Sequence, residues 1–178
     1  MSVLQCGRFR LDLSQPRVMA IINLTDDSFS GDGLRGDLAR ALARAERALE
    51  EGAEMLDIGA ESTRPGSDPV PEAQELERVV RFVEAARGWK VPLSIDTLKP
   101  TVMRAALAAG ADMINDINAF RASGAIEAVA AGESGLCVMH MLGQPRTMQQ
   151  DPRYADVVGE VTGFLDERVA ALVAAGVA

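Results

Sequence analysis

An α/β fold built around a parallel sheet is predicted by three features of the sequence. Short apolar runs alternate with longer amphipathic ones. The short runs are apolar on both faces, as strands are when helices cover a parallel sheet. Nearly every short run then ends in polar residues, the pattern expected where parallel strands deliver their carboxyl ends to one side.

The elements follow in order. VLQCGRFRLDL at the start reads as a small hairpin with Gly7 at its turn. VMAIIN (18–23) is the first strand of the main series. In 37–51, Leu38, Ala41, Leu42, Ala45, Ala48 and Leu49 share one face, so a helix is predicted there, with Asp37 as its N-cap. EMLDIG (54–59) is the next strand, and 72–86 a helix with Ala73, Leu76, Val79, Val80 and Val83 inward. VPLSID (91–96) leads to an Ala-rich helix over 99–109 with Pro100 in its first turn, where a missing N–H is harmless. DMINDI (112–117) is followed by a helix over 123–131, and GLCVMH (135–140) by a last helix over 156–175 with Val158, Val161, Leu165 and Leu172 on one side.

A faint repeat supports this order. EEGAEMLDIG (50–59) and LAAGADMINDI (107–117) share a helix end, Gly-Ala, an acid and a strand, with Gly52 and Gly110 at left-handed helix-ending positions. LVAAGV at 172–177 starts the same phrase and promises another strand. Five βα units fit either an open doubly wound sheet or part of a (β/α)8 barrel, which usually needs about 250 residues to close.

Composition narrows the function classes. With 48% apolar and 25% charged residues, the 178-residue chain is globular, neither disordered nor fibrous. Eighteen basic against twenty-six acidic residues give a net charge of -8, which argues against a general nucleic-acid surface but leaves room for one small anion at a local cationic spot. Cys6 and Cys137 are the only cysteines, too few for a disulfide scaffold, and Cys137 reads as a buried small hydrophobe. No secretory signal and no apolar run near the roughly 18 residues of a membrane span is visible, so a cytosolic location is expected.

The polar strand ends are the candidate site. They comprise Asn23, Thr25, Asp26 and Asp27; Asp57 with Glu61–Gly66; Asp96 and Thr97; Asn115, Asp116 and Asn118; and His140. Plain alternatives exist for each: Asp96 as a helix cap, Asn115 and Asp116 as turn-satisfying groups, and the lone His140 as a packing residue, since no Cys/His/Asp cluster marks a zinc site around it. Asp plus Asn in a half-buried pocket suits a heterocycle carrying N–H groups and a ring carbonyl. In ESTRPG (61–66), Thr63 offers a hydroxyl and Arg64 a five-donor fork matched to phosphate or carboxylate. LTDDSFSGDGLRG (24–36) is a second polar loop with Phe29 in its middle, placed to pack on a ligand.

The motifs VMAIINLTDDSFSGDG, EMLDIGAESTRPGSDPV, VPLSIDT, GADMINDINA and LCVMHMLGQPRTMQQDPRY together resemble the dihydropteroate synthase family, the folate-pathway enzymes targeted by sulfonamides. The resemblance runs along essentially the whole chain and corresponds to the N-terminal two-thirds of a member. It implies a TIM (β/α)8 barrel, here about five βα units and a hairpin, with residues 1–178 forming one pterin-binding barrel domain that stops before the last strands. It implies joining of 4-aminobenzoate to a hydroxymethyl-dihydropterin diphosphate with release of diphosphate, assisted by magnesium.

By the same resemblance Asn23 helps hold magnesium and diphosphate. Thr63 and Arg64 meet the leaving group and border the aminobenzoate site beside Pro65 and Phe29. Asp96 and Asn115 bond the pterin ring, Ile117 and Met139 lie against it, and Asp57 helps position loop and ligand. Arg64, Asp96 and Asn115 form the implied catalytic set.

Some features depart from the family pattern. Its first loop usually reads Thr-Pro-Asp-Ser-Phe-Ser-Asp; here Asp26 replaces the proline and Gly31 the last acid, while Ala60 stands where many members have glycine. The family's later pterin-binding Asp, its Ser-Arg-Lys lysine, its Arg-x-His anion clamp and most of its homodimer surface have no counterpart in these residues. The expectation is therefore an enzyme of this family whose chain alone is inactive or poorly folded. The alternatives are a non-catalytic relative that binds pterin or a partner, and a pterin-binding methyltransferase domain; the latter lacks ESTRPG together with HMLGQPRTMQ.

Overall fold

The computed structural model describes residues 3–24, 33–61, 69–144 and 147–177, with 33–37 described by their backbone alone. β1 (Val3–Cys6) and β2 (Phe9–Asp12) form the expected antiparallel hairpin. Its turn residue Gly7 has φ +54°, and a Cβ there would lie 2.8 Å from the Cα of Asp112, so both conformation and space require glycine.

The main series then runs β3 (Met19–Asn23), α1 (Gly33–Glu50), β4 (Met55–Gly59), α2 (Glu72–Ala86), β5 (Leu93–Asp96), α3 (Pro100–Ala109), β6 (Met113–Asp116), α4 (Ala125–Val129), β7 (Gly135–Val138) and α5 (Val157–Ala174). The sheet order is β3-β4-β5-β6-β7 and every pair is parallel. This sequential order has no reversal point, which rules out the doubly wound alternative and gives the winding of part of a (β/α)8 barrel.

Register explains how the strands are dressed. One face carries Ile22, Leu56, Ile58, Leu93, Ile95 and Ile114, all buried beneath Ala41 and Ala45 of α1, Val79, Phe82 and Val83 of α2, and Val102, Met103 and Ala106 of α3. Aliphatic side chains supply nearly all of this layer, and fully burying each contributes about 1.5–3 kcal/mol. The opposite face presents Met19, Ile21, Asn23, Asp57, Gly59, Ser94, Asp96, Met113, Asn115, Gly135 and Cys137.

The hairpin covers the lower end of that second face, where Cys6 packs with Met55 and Met113. A fork of bonds locks it there. The backbone N–H of Arg8 and its Nε and Nη2 all donate to buried Asp112, at 3.2, 2.9 and 2.9 Å, and Leu93 N–H donates to the same carboxylate at 3.1 Å. Burial and the nearby Asp112 charge push the Cys6 thiol up to about 11, which makes it a packing residue.

Several expectations shift. α1 starts at Gly33, so Asp37 lies inside the helix and is not its N-cap; the Ala-rich turns that follow outweigh the helix penalty of Gly36. α4 is only Ala125–Val129. On α2, Ala73 is exposed, while Phe82 and the acid Glu75 are buried. On α5, Val158 is 68% exposed and Leu172 carries the burial. Cys137 is half-buried on the polar face, and Cys6 is the fully buried thiol. Pro100 opens α3, and Gly110 ends it at φ +115°, as expected. No described helix is long and apolar enough to cross a membrane.

Candidate active site

Parallel register sets Asn23, Gly59, Asp96, Asn115 and Cys137 in one row across the carboxyl ends of the strands. The row beneath is Ile21, Asp57, Ser94, Met113 and Gly135. Asn23, Asp96 and Asn115 are half-buried and Asp57 is 5% exposed. Glycine at 59 leaves space beside Asp96: an added Cβ would sit 3.5 Å from its carboxylate oxygen.

Asp57 is fully engaged. It accepts from Ser94 Oγ at 2.6 Å on one oxygen and from Asn115 Nδ2 at 3.1 Å on the other. The Asp96 carboxyl, by contrast, has no hydrogen-bond partner among the described residues, and it does not cap α3, whose N-cap is Lys99. Burial first, then the charges of Asp57, Glu75, Asp116 and Glu61, push its pKa up to about 7. A half-buried carboxyl without a partner among the described residues is open to water or to a ligand. A carboxyl so perturbed at the rim of a parallel sheet is a functional-site candidate.

Behind Asp96 lies a charged network that the sequence did not reveal. Lys99 Nζ donates to Glu61 at 2.5 Å, to the Val70 carbonyl at 2.7 Å and to Glu75 at 2.5 Å, and Thr97 Oγ1 donates to the other Glu75 oxygen at 2.5 Å. Glu61 also accepts from Val70 N–H at 3.2 Å. Burial works against the Lys99 ammonium, but its bonds to the two glutamates more than offset this and hold its pKa up. The network fixes Thr97 and the first residue after Ala60, and a small recess between them is lined by Glu61, Glu75, Asp96, Thr97, Leu98 and Ile117.

The turn after β6 is also tightly held. Ala119 and Phe120 have φ +53° and +55°, unfavourable for side-chain-bearing residues by about 1 kcal/mol each. Asp116 accepts from Asn118 and Phe120 N–H, both at 2.7 Å, and Arg168 of α5 donates to the Ala119 and Phe120 carbonyls at 2.9 and 3.2 Å. The turn-satisfying reading therefore holds for Asp116, whereas Asn115 faces the candidate site. Ile117 is buried at the lip, and Met139 is half-buried just past β7. His140 stacks edge-on to Phe164 at 5.1 Å and tilted to Tyr154 at 5.8 Å, which is a packing role.

The structure thus brings Asp57, Asp96 and Asn115 together, with Asn23 along the same row and Ile117 and Met139 on neighbouring segments. Phe29, Thr63, Arg64 and Pro65 lie outside the described residues. Ser94, Glu75 and Lys99 are the additions. Only Ser94 left a sequence signal, as a polar residue two places before Asp96 in an apolar strand.

No group of three or more His, Cys, Asp or Glu among the described residues is arranged to hold a metal. Magnesium keeps several waters and is usually bound through one or two carboxylates plus substrate phosphates. Half-buried Asn23 at the strand end has one neutral amide oxygen to add to such a shell.

Known proteins share both sequence and fold. A pterin binding enzyme family profile matches residues 19–178. Dihydropteroate synthase of Neisseria meningitidis serogroup B is 49% identical over 99% of this chain and 63% of its own. The crystal structure of Burkholderia cenocepacia dihydropteroate synthase complexed with 7,8-dihydropteroate superposes with a TM-score of 0.89 at 58% identity, over 99% of this chain and 60% of that one. That of Xanthomonas albilineans dihydropteroate synthase with 4-aminobenzoic acid gives 0.88 at 48% identity, over 99% and 63%.

A parallel barrel-type sheet with an acid and an amide at its carboxyl rim, matched by that profile, places the chain in the pterin binding enzyme family. Within it the homology is with the dihydropteroate synthases, transferases of folate biosynthesis. The chain spans less than two thirds of the length of these relatives.

Proposed function

We propose that this protein condenses 4-aminobenzoate with 6-hydroxymethyl-7,8-dihydropterin diphosphate to give 7,8-dihydropteroate and diphosphate. The observation that carries the reading is the Asp96 carboxyl, half-buried, without a partner among the described residues and in register with Asn115. Polar groups so placed suit a flat heterocycle with several N–H groups. The bound 7,8-dihydropteroate and 4-aminobenzoic acid of the Burkholderia and Xanthomonas relatives support the same choice.

In this reading Asp96 and Asn115 bond the pterin edge, and Ile117 and Met139 lie against the ring. Asp57 holds Asn115 in place through the bond already described. Thr63 and Arg64 receive the diphosphate, and Pro65 and Phe29 flank the aminobenzoate. Asn23 would hold magnesium, which would neutralise diphosphate charge.

The methylene C–O bond breaks with its electron pair leaving on diphosphate. The aromatic amine nitrogen forms the new C–N bond and releases one proton to solvent. Stabilising the departing charge and fixing two rings in sequence account for the rate, and no protein nucleophile is required. A diphosphate substrate does not cross membranes unaided, so this reading goes with a cytoplasmic location.

A second reading is a chain that binds pterin without turnover, since half-buried Asp96 and Asn115 provide for binding alone. One experiment separates the two. Diphosphate release and 7,8-dihydropteroate formation are followed alongside calorimetric pterin binding, on material whose intact mass is 18.9 kDa. The synthase reading expects diphosphate release that requires both substrates. Pterin binding without product moves the assignment to the second reading, and neither binding nor product overturns both.

A further inference from the structure

Asp57 and Asn115 sit on β4 and β6, with β5 between them and Asn115 one row nearer the carboxyl ends of the strands. The small side chain of Ser94 on β5 lets the Asp57 carboxylate reach across, and its hydroxyl anchors one oxygen at 2.6 Å. The other oxygen meets Asn115 Nδ2 at 3.1 Å. A carboxylate has lone pairs and no proton to give, so only the nitrogen end of the amide can face it. The Asn115 carbonyl oxygen must then point the opposite way, and no donor among the described residues reaches it. In register beside it stands Asp96, whose carboxyl is likewise without a partner.

We infer that Asp57, anchored by Ser94, fixes the polarity of the Asn115 amide, so that the site selects a ring edge presenting an N–H donor over one presenting a carbonyl. Asp57 and Ser94 are positioning residues in this scheme: they act on the ligand through Asn115. The inference deepens the pterin reading of the same site and rests on it. A pteridine with an exocyclic amine and a neighbouring ring nitrogen matches two adjacent acceptors. Its dioxo counterpart sets a carbonyl against the Asn115 oxygen, lone pair against lone pair. Sites built around such buried polar groups discriminate because the wrong ligand leaves them unpaired.

The test is calorimetric affinity for two probes, 6-hydroxymethylpterin and 6-hydroxymethyllumazine, with circular dichroism confirming that each variant folds. The wild-type chain is expected to prefer the pterin by about tenfold or more. Asp57→Asn lets either end of the Asn115 amide face residue 57, and the preference should fall to within about threefold of unity. In an Asn115→Ala background the same substitution should leave the ratio unchanged, since its effect runs through the amide.

Should Asp57→Asn not fold, Ser94→Ala serves instead. It releases one oxygen of Asp57 and should lower the ratio in the same direction by a smaller factor. An undiminished ratio in the variants, with both affinities falling equally, overturns the inference and leaves Asp57 as plain structural support while the pterin reading stands. Binding of neither probe by the wild-type chain refutes the pterin reading itself, and this inference with it.

Discussion

Replacing Lys99 by methionine isolates what the buried charge network contributes. The change keeps the length and most of the apolar stem but removes the ammonium that sits between Glu61 and Glu75. Glu61, with 19% side-chain exposure, can turn toward water, whereas Glu75, at 1%, cannot. Breaking a buried pair by deleting one partner destabilises by about 3–5 kcal/mol. A ceiling also applies, because a stranded carboxylate can take up a proton. For a glutamate of ordinary pKa that uptake costs about 4 kcal/mol at pH 7 and about 1 kcal/mol at pH 5.

Lys99→Met should therefore lose about 3–4 kcal/mol at pH 7, shrinking to about 1 kcal/mol at pH 5. Urea unfolding at both pH values measures this, read by the fluorescence of Trp89, which packs edge-on to Phe82 at 6.4 Å. A loss below about 1 kcal/mol at pH 7, or one that does not change between the two pH values, would show that the network is not a buried charge bound by its cation.

Three further outcomes are expected. Asp96 has its folded pKa raised to about 7 from 3.8, so the folded state holds the extra proton between those values and this contribution to stability is lost as pH rises through that window. Asp96→Asn should flatten the dependence of the urea midpoint on pH between about 4 and 7, raise stability at pH 8 by at most a few kcal/mol, and weaken pterin binding without magnesium; an unchanged pH profile would refute the first part and unchanged calorimetric affinity the last. Arg64→Ala should weaken binding of the pterin diphosphate by more than that of the same pterin without diphosphate, and equal losses would remove the anion-clamp role. Gly7→Ala forces a left-handed alanine against the Asp112 backbone and should lower stability by at least about 2 kcal/mol in thermal unfolding; a neutral effect would contradict the tight hairpin seat.

Most strand positions were legible because they depend on local apolar runs, and the rim residues because polar groups recur at each run's end. Pro100 and Gly110 announced both ends of α3 through backbone chemistry that only those residue types satisfy. What escaped notice depends on distant neighbours. Glu75 looks like any acid in the first turns of a surface helix, and its burial follows from Lys99, 24 positions away. Ser94 stands out in sequence only as a polar residue in an apolar strand, and its role appears once register sets it beside Asp57. Local patterning alone left doubly wound and singly wound sheets open, because they differ only in which strands become neighbours; the family motifs pointed to the barrel, and the sequential strand order agrees. Asp37 and Val158 depart from expectation because α1 extends past its amphipathic stretch and no neighbour among the described residues covers Val158.

The seat of the hairpin also orders assembly in time. Arg8 and Asp112 are 104 positions apart, and the carboxylate that Arg8 grips is simultaneously bonded to Leu93. The hairpin, made about a hundred residues before its partner, can thus dock only after the β5–β6 region has been made and paired. Until then its apolar residues, Cys6 among them, have no surface to cover. An element made early thus waits for one made late, so protection of the Arg8 amide from hydrogen exchange would report that the β5–β6 region has assembled.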